Sequence, residues 1–193
     1  MRAEVVLSPS LHMHICACVH WCPEGRKRLM FEFTETIVIE ESAERVWEVM
    51  RDVDKWWLPS NPEHISLEHL DDRPATEVGA RLRIREKVAG IPADAVGAIT
   101  AVEPGAAVTW DADATYRLLG LSVDVGEGVT WRVQPEGPSS TVVSAHVWAT
   151  FPPGIFGKVV AFVFVRLLNG IAKDREHART ELRYLKATIE QQA

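Results

Sequence analysis

The 193-residue chain reads as an α+β domain built on one antiparallel sheet. Three observations predict this. From Met30 onward, runs that alternate apolar with polar residues recur between short turn signals, and consecutive strands joined this closely pair antiparallel. Two short helical patterns follow the first strand. A long apolar stripe at helical spacing closes the chain, with no proline after Pro153.

The elements follow in order. Phe31, Phe33, Ile37 and Ile39 alternate with polar residues and predict a first strand with one buried face. Ser42 offers a helix N-cap, Glu44 suits the first turn, and Val46, Trp47 and Met50 share a side. A second short helix is expected around Asp54-Lys55-Trp56-Trp57, stopped by Pro59 and Pro62. Strands are then expected at 65–70, 80–88, 93–102, 108–115, 121–133 and 143–151. In the 80–88 run, Arg81, Arg83, Arg85 and Lys87 face one way and Leu82, Ile84, Glu86 and Val88 the other. Phe164, Leu168, Ile171, Arg175, Ala178, Leu182, Leu185 and Ile189 step by four and three, which predicts one helix over the C-terminal segment.

Composition narrows the function classes. Hydrophobic residues make up 47% and charged residues 25%, the balance of a globular domain. With 21 Lys plus Arg against 27 Asp plus Glu, and no basic block beyond Arg26-Lys27-Arg28, a nucleic-acid partner is disfavoured. No run reaches the ~18 apolar residues of an integral membrane segment, and a cytoplasmic location is expected. The phosphate-loop, dinucleotide and Gly-x-Ser-x-Gly patterns are absent, so neither a cofactor nor a covalent nucleophile is expected.

Residues 1–29 stand apart and are expected to be a disordered or dispensable extension to a domain at 30–193, with the natural start at Met1 or Met30. They hold all three cysteines. His12, His14, Cys16, Cys18, His20 and Cys22 fall on alternate positions, so a metal-binding tail is a second reading. Alternate residues of a straight strand lie ~6.6 Å apart, too far for four to converge without a turn. A targeting segment is a third, weakened by Ser8, Pro9 and Ser10 in the apolar stretch.

Residues 37–49, Arg51-Asp52-Val53-Asp54-Lys55-Trp56-Trp57, and the terminal Leu182-Arg183-Tyr184-Leu185-Lys186 carry a family resemblance. Over about 31–190 the sequence resembles the START and pollen-allergen (SRPBCC) superfamily, and within it the polyketide cyclase/dehydrase and lipid-transport group. The resemblance implies a helix-grip fold: a curved antiparallel sheet of about six to seven strands wrapped around a long C-terminal helix. It also implies a cavity between sheet and helix for an apolar ligand. Trp57-Leu58-Pro59-Ser60-Asn61-Pro62 departs from the family's usual Trp-Asn-Pro.

Within that frame the expected ligand-binding residues are Leu82, Ile84, Glu86, Trp110, Val125, Glu127, Trp131, Phe164, Leu168 and Arg175. Glu86, Glu127 and Arg175 interrupt apolar faces, and a buried lone charge is costly. Either a carboxylate meets Arg175 inside the cavity, or strand ends reach solvent and Arg175 snorkels. Glu127 faces inward unless Gly126 and Gly128 bulge. Glu86 and Glu127 are the acid–base candidates. His146 is expected on the convex face beside Trp148; His64, His69 and His177 show no acid or cysteine partner at metal spacing, so no metal site is expected in the body. The leading expectation is non-covalent binding of a small hydrophobic molecule, lipid or polyketide-like, by a carrier or sensor. The alternatives are a cofactor-independent cyclase/dehydratase and an interaction or assembly module using Trp56-Trp57-Leu58 as an exposed patch. The oligomeric state stays open.

Overall fold

A computed structural model describes residues 29–118 and 120–191. The expectations for residues 1–28, including their alternating histidines and cysteines, lie outside the described residues. In chain order the elements are β1 (Met30–Ile39), α1 (Ala43–Met50), α2 (Val53–Trp56), a 3-10 turn (Leu58–Ser60), β2 (His64–His69) and β3 (Arg81–Val88). There follow β4 (Ile91–Glu103), β5 (Ala107–Leu118), β6 (Leu121–Gly137), β7 (Ser140–Thr150), α3 (Gly154–Phe162), a π-helical turn (Val163–Leu167) and α4 (Gly170–Glu190). The seven strands form one antiparallel sheet in the order β1-β7-β6-β5-β4-β3-β2.

Local chemistry sets these elements. Ser42 caps α1 by accepting from the Arg45 amide at 3.3 Å. β3 turns into β4 through Ala89 and Gly90, both with positive φ (55° and 78°), a twist that suits a two-residue hairpin. Alternation then places Leu82, Ile84, Trp110, Trp131 and Val143 on the concave face, where Leu182, Leu185 and Ile189 of α4 pack.

Two expectations are corrected. Trp56 and Trp57 are only 1% and 4% exposed, so they form no surface patch. Both stand edge-on to Trp131, at 5.4 and 4.9 Å, and Trp56 Nε1 donates to the Met50 carbonyl. Nor is the C-terminal segment one helix. The chain leaves the π-helical turn, passes through a left-handed Asn169 (φ 52°, ψ 39°) and starts α4 at 68° to the preceding helix. Asparagine tolerates that conformation. Gly170 beside it gives the Phe164 ring room that a Cβ, 2.4 Å from the ring carbons, would deny. Among the described residues no single helix is long and apolar enough to cross a membrane.

Candidate functional site

A cavity of about 110 Å³ lies between the concave sheet and helices α3 and α4. Phe31, Val123, Val125, Phe151 and Phe164 make one end apolar, and Trp110 and Trp131 wall the middle. The polar lining is Glu86, Tyr116, Glu127, Asp174, His177 and Glu181.

A bulge in β2 completes the polar end. His64 pairs with Glu86, yet Ser66 pairs with Arg85, so one residue is extra. The slip lets His64 and Leu67, an odd number apart, both turn inward, while Ile65 swings out to 62% exposure. Opposite, His177 and Glu181 stand one turn apart on α4. The side chains meet closely. His64 Nε2 lies 3.0 Å from His177 Nε2, 3.2 Å from Glu86 Oε2 and 3.1 Å from Glu181 Oε1. His177 Nε2 lies 3.2 Å from Glu86 Oε2 and 3.5 Å from Glu181 Oε1.

Three of the four are held from behind as well. His64 Nδ1 is 2.8 Å from the Trp57 carbonyl, and His177 Nδ1 is 3.4 Å from Glu63 Oε2. Trp57 Nε1 donates to Glu181 Oε1 at 3.1 Å. Burial would raise the Glu86 pKa, but hydrogen bonds to His177 and His64 outweigh it and hold the carboxyl at about 2. Glu181 is lowered by the same balance. Burial also opposes charge on the imidazoles, yet Glu181 and Glu86 lift His64 to about 10 and His177 to about 11.

A second polar pair lies farther along the wall. Tyr116 Oη donates to Glu127 Oε2 at 2.6 Å. Burial, then the negative charge of Glu86, pushes Glu127 up to about 8, with the Tyr116 hydrogen bond opposing. Burial likewise raises Asp174 to about 7. Glu127 is therefore a neutral acid near pH 7, while Glu86 is ionised.

Of the residues expected to bind ligand, Glu86, Trp110, Val125, Glu127, Trp131 and Phe164 line the cavity. The β5–β6 register runs unbroken past Gly126 and Gly128, so Glu127 keeps its inward face. Leu82 and Ile84 instead pack in the sheet–helix core, and Leu168 packs behind the aromatic cluster at the helix bend. The expected meeting of Arg175 with a cavity carboxylate does not occur. Arg175 Nε donates to Glu35 Oε1 at 2.5 Å, its guanidinium lies over the Phe33 ring at 5.7 Å, and Arg179 takes the other Glu35 oxygen. Two residues before His177 is ~200° around the helix, which turns Arg175 away from the cavity. His146 lies on the convex side, 3.1 Å from Thr34 Oγ1 and against Trp148.

Sequence reasoning missed His64, His177, Glu181 and Asp174. The expectation that His64 and His177 lack acid partners is corrected: Glu181 follows His177 by four residues, and Glu86 faces His64 across the ladder. His-x-x-x-Glu on a helix was a legible signal; the bulge that turns His64 inward was not. His64, Glu86 and His177 bring metal-ligating atoms within 4.8 Å of one another, with Glu181 beside them.

The chain matches the family model for polyketide cyclase/dehydrase and lipid transport over residues 30–190. It belongs to that family. The helix-grip architecture recurs in the Zhui aromatase/cyclase from Streptomyces sp. R1128, at 17% identity and TM-score 0.65, over 84% of this chain and 95% of that one. A norcoclaurine synthase point mutant from Thalictrum flavum shares it at 14% identity and TM-score 0.60, over 86% and 98% of the two chains. A START superfamily protein from Mycobacterium smegmatis shares it at 16% identity and TM-score 0.53, over 84% and 99%. These identities speak to fold alone. No curated protein matches the sequence significantly.

Proposed function

We propose that this family member binds a small hydrophobic molecule bearing acceptor oxygens, lipid or polyketide-like, as a carrier or sensor. The observation that carries the reading is a mostly apolar cavity wall interrupted by one hydrogen-bonded polar pair, Tyr116 and Glu127. Tyr116 Oη gives its hydrogen to Glu127, and the neutral Glu127 carboxyl keeps its own for an oxygen of the bound molecule. The test is native mass spectrometry of freshly purified protein against its denatured mass, followed by uptake of an aromatic polyketide and of a fatty acid. Organic mass on the native protein, or uptake reduced in the cavity-filling Val125→Trp, supports the reading; no mass and no uptake of either compound removes it.

Glu127 favours a second reading, cyclase/dehydratase-type turnover. A carboxyl kept neutral to about 8 in an apolar wall meets the requirement of a general acid near neutral pH. Glu86, held ionised between two imidazoles, meets it less well. The aromatase/cyclase named among the structural neighbours is consistent with this chemistry. Glu127→Gln should then lower turnover ~100-fold or more with uptake retained, and unchanged turnover would dismiss the reading.

A further inference from the structure

We propose that His64, Glu86 and His177, with Glu181 beside them, form a binding site for one divalent transition-metal ion of the zinc class at the polar end of the cavity. The first support is metric. The three ligand-to-ligand distances are 3.0, 3.2 and 3.2 Å. A regular tetrahedron with metal–ligand bonds of about 2.0 Å has edges of about 3.3 Å, so the three atoms match one face of it and leave the fourth position open.

The second support is hydrogen accounting. The Trp57 carbonyl beside His64 Nδ1 can only accept, so that nitrogen carries a hydrogen. The Glu63 carboxylate asks the same of His177 Nδ1. Were both imidazoles neutral, two bare Nε2 lone pairs would turn inward toward Glu86 Oε2, three acceptors together, while Glu181 Oε1 already accepts from Trp57 Nε1. Without an ion, protons fill that space, and two protonated Nε2 atoms then stand 3.0 Å apart. A single cation instead satisfies the three lone pairs, and the Glu86 and Glu181 carboxylates balance its charge. Nδ1–H bonds to a carbonyl and a carboxylate are also the outer-shell pattern that orients metal-bound histidine.

The donor set selects the ion. Two imidazoles and one carboxylate spaced as one face of a tetrahedron suit zinc, whereas magnesium and calcium take six or more oxygens. Glu86, His177 and Glu181 line the cavity, so the ion faces the chamber. There it can polarise an oxygen of a bound molecule as a Lewis acid. That consequence rests on the proposed ligand; the ion site does not.

The test uses the full chain, stripped with chelator and reloaded with zinc or cobalt alone. One equivalent should bind, with the visible bands of four-coordinate cobalt and no thiolate charge-transfer absorption. All cysteines lie in residues 1–29, so a thiolate band would assign the metal to that segment and overturn the proposal. His177→Gln and Glu86→Gln should each weaken zinc binding by more than the ~10–100-fold that loss of an outer-shell partner costs. Unchanged affinity in both variants overturns the site, as does failure of the wild-type protein to bind either ion. Should the variants not fold, the wild-type cobalt spectrum decides: six-coordinate or thiolate bands reject the site.

Discussion

The two ends of the cavity are built on opposite principles. Where β2, β3 and α4 meet, four ionisable side chains converge within 3.5 Å, and three are braced from behind by Trp57 or Glu63. At the other end Phe31, Phe151 and Phe164 pack with ring centroids 5.6–6.0 Å apart, one pair stacked and two inclined, with no polar partner to set their direction. The helix over that end, α3, leaves Ile155, Phe156, Val159 and Phe162 at 50–81% exposure. The polar end is defined by direction and charge, the apolar end by area. Substitutions at the first should therefore act through unpaired groups, and at the second through volume.

Breaking the polar end has the largest expected effect. Glu86→Ala leaves two buried imidazoles short of a counter-charge and should cost about 3–5 kcal/mol in denaturant unfolding. A second effect concerns the neutral acids between the two ends. Glu127 and Asp174 have pKa values raised to about 8 and about 7, so the folded state binds their protons more tightly than the unfolded chain. Their contribution is complete below the usual carboxylate range and is lost as pH rises through 7–8. Glu86, at about 2, is ionised throughout this window, whereas the imidazoles, raised to about 10 and 11, add to the fall above the ordinary histidine range of about 6.5. With chelator present, the urea midpoint should fall between pH 5 and 9, and Glu127→Gln should flatten the fall.

The hinge between the ends comes next. Gly170→Ala drives a methyl into the Phe164 ring and should cost about 1–3 kcal/mol by thermal unfolding. The smallest effect belongs to the outer face of α3. Ile155→Ser, at a site 81% exposed, should change stability by less than about 0.5 kcal/mol. A larger loss would mean that α3 is covered in solution, and the contrast between the ends would need redrawing.

Much of the strand pattern was legible, because strand alternation and hairpin signals act over a few residues. Glu86 and Glu127 were visible as acids on apolar faces, since period-2 alternation alone assigns the face. Arg175 was misread because it sits at the edge of its stripe on α4, where Glu35 of β1, distant in sequence, draws it and Arg179 away from the cavity. His64 was hidden for a sharper reason. By strict alternation it opposes Leu67, and only the extra residue at Ile65 turns it inward.

Local order, then, was determined by sequence alone: which residues form strands, which face each presents, where hairpins turn, and that the body holds no cysteine. These follow from backbone sterics and the short-range spacing of apolar side chains. The polar cluster was decided by tertiary structure. His64 and His177 are 113 positions apart, and their meeting requires a bulge, a bent C-terminal segment and α4 laid across the sheet. Each depends on packing between distant elements, a contribution to the energy that no local window contains.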